Sequence, residues 1–112
     1  MIRLKRVYEP PANQDGVRIL VERLWLRGMT KERAAVDVWL KEIAPSPALR
    51  TWYGHDPAKW DLFRARYRAE LAHNPDTIAR LKQYAKRGTV TLVYAARDAE
   101  HNSTVVLKEF LE

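Results

Sequence analysis

Apolar and basic residues interleave at the start of the chain: Ile2, Leu4 and, after a skip, Val7 are separated by Arg3, Lys5 and Arg6. The pattern predicts a strand with one wet face at the edge of a sheet. Two prolines at positions 10 and 11 stop it, and Asp15-Gly16 suits a turn. In "VRILVER" Val17, Ile19 and Val21 share one face while Leu20 lies on the other. A strand apolar on both faces is a central one.

The segment "LWLRGMTKERAAVDVWLKEIAPS" carries two signals, a helix cap at Thr30 and the strand-like alternation of "VDVWL". Together they predict a short helix and then a strand near Val36 to Leu40. Ser46-Pro47 opens a helix that Gly54 closes, with Leu49, Trp52 and Tyr53 available to pack. Asp56-Pro57 makes a further cap and first turn, after which Trp60, Phe63, Tyr67 and Leu71 recur at helical spacing, as a core stripe does. Asn74-Pro75 repeats the opening signal for a helix with Ile78, Leu81 and Tyr84 on its buried face, ended by Lys86, Arg87 and Gly88. "TVTLVYA" supplies the last strand, and "NSTVVLKEFLE" a final helix capped by Asn102 or Ser103.

Strands separated by helices imply right-handed crossovers. The fold class is therefore α/β, a single small domain spanning residues 1–112, with a mostly parallel sheet of about four strands covered by helices. At 112 residues the chain suits one hydrophobic core, and it shows no internal repeat or low-complexity tract.

In parallel sheets ligands sit beyond the carboxyl ends of the strands. Glu22, Arg23, Trp25, Arg27 and Gly28 follow the second strand, Ala44, Pro45 and Ser46 follow the third, and Tyr94, Arg97, Asp98 and His101 follow the last. If these strands are neighbours, the three groups share one edge. Guanidinium groups offer planar forks that match carboxylate or phosphate, and the helix start at Ser46 would add free N–H groups. A small anionic ligand is the expected partner. In a catalytic version Arg23 and Arg97 would hold the anion, Asp98 or Glu22 would act as general base, and His101 as acid or orienting partner. In the alternative the cluster is structural, with Arg23 or Arg97 paired to Glu22 or Asp98 so as to tie loops together.

Other chemistries are less well supplied. The chain has no cysteine, which removes disulfides, thiolate metal sites and cysteine nucleophiles. A metal would need His55, Asp98 and His101, none of them at the i, i+4 spacing of a helical ligand pair. Ser46 lacks the glycine-flanked turn of a serine nucleophile, and no glycine-rich phosphate loop is present. The sequence specifies no cofactor. The formal charge of +6 favours anions, but Lys59, Arg66, Arg68, Arg80 and Lys82 are interleaved with Asp61, Glu70 and Asp76 on helices and no nucleic-acid motif accompanies them. Nucleic acid is not the expected partner. No apolar run reaches membrane-spanning length, and the charged start lacks the apolar core of a signal peptide, so a cytoplasmic setting is expected.

The stretches "KRVYEPP", "DGVRILVERLWLRG", "WLKEIAPS", "LRTWYGHDPAKWDLFRARYRAEL" and "VTLVYAARDAEHNSTVVLKEFL" resemble the YeaO-like branch of the domain-of-unknown-function 488 family across nearly the whole chain. The resemblance implies an α/β fold without an assigned activity, and importance for Arg23, Trp25, Arg27, Arg97, Asp98 and His101. Where the family motif resembles Val-Asp-Arg-Leu-Trp-Pro-Arg-Gly, this chain has Glu22 for the aspartate and Leu26 for the proline. Longer relatives end the last strand with two cysteines and His-Arg, where this chain has Tyr94 and Asn102, so thiol chemistry does not carry over.

Overall fold

A computed structural model describes all residues, Met1–Glu112. Four strands, β1 (Ile2–Arg6), β2 (Val17–Leu20), β3 (Val38–Trp39) and β4 (Val90–Tyr94), form one sheet in the order β1-β4-β2-β3. Every neighbouring pair is parallel. Leu92 stands between Leu4 and Ile19, so the last strand fills the slot between the first two. The sequence pattern of an edge strand at Ile2 and a central one at Val17 is what the sheet shows.

Four helices lie between strands, α1 (Lys31–Ala34), α2 (Pro47–Tyr53), α3 (Trp60–Ala72) and α4 (Pro75–Arg87), and a fifth, α5 (Ser103–Leu111), follows β4. Their starts follow the expected chemistry. The Thr30 side chain accepts from the Arg33 N–H, Ser46 from Leu49 and Asn102 from Val105, each satisfying a first-turn donor. Gly54 ends α2 in the left-handed region at φ 53°. Two details differ from expectation. Asp56-Pro57 opens a 3-10 turn, Pro57–Lys59, before α3 begins, and the Asn74 amide does not cap α4 but donates to the Glu42 carbonyl.

The sheet separates two apolar layers because strand side chains alternate. Ile19, Val21, Val90 and Leu92 point to the main core, where Leu49, Tyr53, Phe63, Tyr67, Leu71, Leu81, Val106 and Leu107 pack on them. Leu20 and Val93 point the other way and meet Val7, Leu26, Met29 and Ala34, so the 22–35 connection with its short helix covers the second face. Also buried are Asp15, Arg18 and Thr91. Arg18 pairs with Asp15 at 2.6 Å and donates to the carbonyls of Ala34 and Ala35 at the end of α1. Lys5 reaches Asp15 from β1, and the Thr91 hydroxyl donates to the Asp15 carbonyl from β4. Burial would raise the Asp15 pKa, but the Ala12 N–H, Lys5 and Arg18 together hold it below the usual carboxylate value.

Candidate functional site

A cavity of about 500 Å³ opens at the carboxyl ends of β2 and β4. Its wall includes Glu22 and Arg23 after β2, Ala44 and Pro45 after β3, and Tyr94 through Asp98 after β4. Arg50, Tyr53 and Phe63 come from α2 and α3, and Asn102, Ser103 and Thr104 from the start of α5. The geometry is the one the strand order dictates: β2 and β4 are neighbours, so the loops that leave them meet over the sheet edge.

Three arginines, Arg23, Arg50 and Arg97, line this cavity, and none forms an ion pair; the carboxylates that could have neutralised them are engaged elsewhere. One oxygen of Glu22 accepts the Ala95 N–H at 3.0 Å. Asp98 accepts from the Glu100 and His101 N–H groups and from the His101 ring at 3.0 Å. These backbone bonds come first among the causes that lower the Asp98 pKa, with the His101 side chain adding to them. Arg23 is partly fastened, donating to the carbonyls of Ala44 and Pro45. Arg50 and Arg97 are exposed.

Two tyrosines form the inner wall. Tyr53 is stacked on Phe63 with ring centroids 4.2 Å apart and donates to the His101 carbonyl at 3.0 Å. Burial raises its pKa, and Asp98 and Asp56 add to the effect. Tyr94 is likewise pushed up, by burial first and by Glu9 next, against the opposing influence of Arg6 and Asn102. Both hydroxyls are therefore protonated donors near neutral pH.

Of the residues singled out from sequence, the cavity gathers Glu22, Arg23, Tyr94, Arg97 and Asp98. His101 does not line it; its ring holds Asp98 on one side and stands edge-on to Trp60 at 5.2 Å. Trp25 and Arg27, expected among the ligand-binding residues, lie outside the cavity lining. The chain leaving β2 crosses to the other face of the sheet, where the Trp25 indole donates to the Met29 carbonyl and meets Trp39, and Arg27 is exposed away from the cavity. Ser46 also lies outside the lining. Its N–H and hydroxyl both donate to the Glu70 carboxylate from α3, at 2.8 and 2.6 Å, so a side chain of the protein occupies the anion position there.

Arg50, Tyr53, Asn102, Ser103 and Thr104 were not singled out as site residues. A usable signal existed for Arg50: it lies one helical turn from Ser46, on a helix that starts at a strand end. His55, which lines the cavity from a left-handed conformation at φ 56°, reads from sequence chiefly as a dipole-stabilised surface residue at a helix end. His55, Asp98 and His101 do not assemble into a metal-holding group.

The fold and site together define a small parallel α/β protein with a basic cavity at its strand ends. The chain belongs to the family described as the inactive DUF488-N3 subclade, which it matches over residues 1–112. It is 43% identical over 110 residues to the uncharacterized protein YeaO of Escherichia coli K12, covering 98% of this chain and 96% of that one. It is 40% identical over 110 residues to the uncharacterized protein Rv3073c of Mycobacterium tuberculosis H37Rv, covering 98% and 92%. No solved structure matches it. No helix is long and apolar enough to cross a membrane.

Proposed function

We propose that the protein is a non-catalytic binding module for a small anionic ligand, held in the cavity at the carboxyl ends of β2 and β4. The observation that carries this reading is the set of three arginines lining one concavity without a carboxylate partner. Guanidinium groups without an ion-pair partner, beside an apolar wall, are what an anion with an organic body requires. Arg23 combines this role with a structural one through its two carbonyl acceptors.

Catalysis is the weaker reading. Asp98, with its lowered pKa, is a poor general base, and its oxygens serve the backbone and His101. His101, the acid of a catalytic scheme, faces Asp98 and Trp60. The description of the family as an inactive subclade agrees. Nucleic acid fits less well than a small molecule because the basic residues of α3 are engaged locally: Arg64 and Arg68 meet Glu109, and Arg66 lies over Trp52.

Calorimetric titration with a panel of small phosphates, sulfates and carboxylates tests the reading. At least one should bind, and Arg97→Ala and Arg50→Ala should each weaken it by about 1.5–3 kcal/mol, as expected for a hydrogen bond to a charged group. Indifference of every compound to both substitutions would sink the proposal.

A further inference from the structure

The cavity is not uniform along its wall. At the α5 end the nine-residue helix Ser103–Leu111 points its first turn inward, with Ser103 and Thr104 in the lining. Asn102 accepts the Val105 N–H with its side chain, while the N–H groups of Ser103 and Thr104 find no acceptor in the chain. Free first-turn donors carry the positive end of the helix dipole.

A second observation is independent of the helix. Thr104 is 1% exposed, yet its hydroxyl has no hydrogen-bond partner in the protein. No side-chain oxygen or nitrogen that is sealed from solvent lacks a partner. The Thr104 hydroxyl is therefore not sealed, and because Thr104 lines the cavity that hydroxyl is a nearly buried donor available to a ligand there. Arg50 and Arg97 flank the same space from α2 and from the loop after β4.

We propose that this end of the cavity seats the phosphate of a small-molecule phosphomonoester, with the Thr104 hydroxyl and the Ser103 and Thr104 N–H groups as donors and Arg50 and Arg97 as counter-charges. The inference rests on the anion-binding reading above and narrows it. A carboxylate has two oxygens and is satisfied by one arginine fork, whereas a phosphomonoester presents three terminal oxygens and close to two charges. Here the donors come from three separate segments, and three arginines face only Glu22 and Asp98, the latter already occupied by His101. The organic remainder of the ligand lies against Tyr53, Phe63 and the Ala44-Pro45 segment.

Phenyl phosphate and benzoate serve as probes, followed by amide NMR and by calorimetry on the whole chain. Phenyl phosphate should bind in the millimolar range or tighter, shift the amide signals of Ser103 and Thr104, and bind at least about tenfold more weakly to Thr104→Val, with Thr104→Ser restoring most of the loss. The serine variant keeps the result interpretable if the valine one fails to fold. Arginine-dependent binding of benzoate with no such binding of phenyl phosphate, or phenyl phosphate binding unchanged in Thr104→Val, overturns the phosphate seat and leaves anion binding standing. Failure of both probes, and of the wider anion panel, overturns both. A phosphotyrosine peptide binding more than tenfold tighter than phenyl phosphate would overturn the small-molecule assignment.

Discussion

Arginine has three different fates in this protein, and they predict three different costs of removal. Arg97 is exposed and without an ion pair, so Arg97→Ala should change stability by no more than about 0.5 kcal/mol in urea denaturation. Arg23→Ala leaves the Ala44 and Pro45 carbonyls short of a donor and should cost about 1–2 kcal/mol. Arg18 is the opposite extreme, sealed beside Asp15 with α1 carbonyls on its remaining donors. Arg18→Ala should cost roughly 3–5 kcal/mol because it breaks a buried ion pair, leaving Asp15 with Lys5 alone and the Ala34 and Ala35 carbonyls without their donor. Equal losses at Arg97 and Arg18 would show that the cavity arginines are part of the scaffold. Asp15 makes the buried cluster sensitive to pH as well. Its folded pKa lies below its unfolded one, so its contribution is complete above about pH 3.9 and is lost as the pH falls through the lowered folded value. Urea midpoints measured from pH 5 downward should fall, and Asp15→Asn should flatten that fall.

At the scale of elements, the start of α5 joins stability to the site. Asn102 accepts the Val105 N–H and donates to the Asp98 carbonyl, so one side chain sets both the helix start and the loop that carries Arg97. Asn102→Ala should cost about 1–2 kcal/mol and weaken anion binding together, measured by thermal unfolding and titration. Such starts were legible in the sequence: Thr30, Ser46 and Asn102 cap as their residue types predict, since a cap is a local interaction. Strand order was legible in part, through the one-sided pattern of β1 and the two-sided pattern of β2. The site was harder to read. That Glu70 occupies Ser46, and that Trp25 and Arg27 cross to the second face, depends on contacts between distant segments and on the path of a loop, neither of which leaves a periodic trace. Arg50 and Thr104 were missed for a related reason: each sits on a helix whose start was predicted, but which residue of that first turn faces the cavity is set by tertiary packing.

Across the whole molecule the formal charge of +6 is spread out, with Arg64 and Arg68 beside Glu109 on α5 and Lys108 beside Glu112. Binding to DNA or RNA should therefore be weak, indifferent to sequence and lost near physiological salt; tight binding of a labelled duplex at the higher of two ionic strengths would contradict this. The strand order has a consequence of another kind. β1 and β2 are near in sequence but share no hydrogen bonds, and each waits for β4, as the pairing of Ile2 with Val90 and of Val17 with Val90 shows. A chain ended at Gly88 would retain only the two-residue pairing of β2 with β3, and should lose cooperative unfolding by circular dichroism. Sheets built from such distant pairings fold slowly. On the ribosome, the N-terminal strand would emerge long before its partner, leaving an unpaired apolar edge open to association with other chains until the last quarter of the protein has been made.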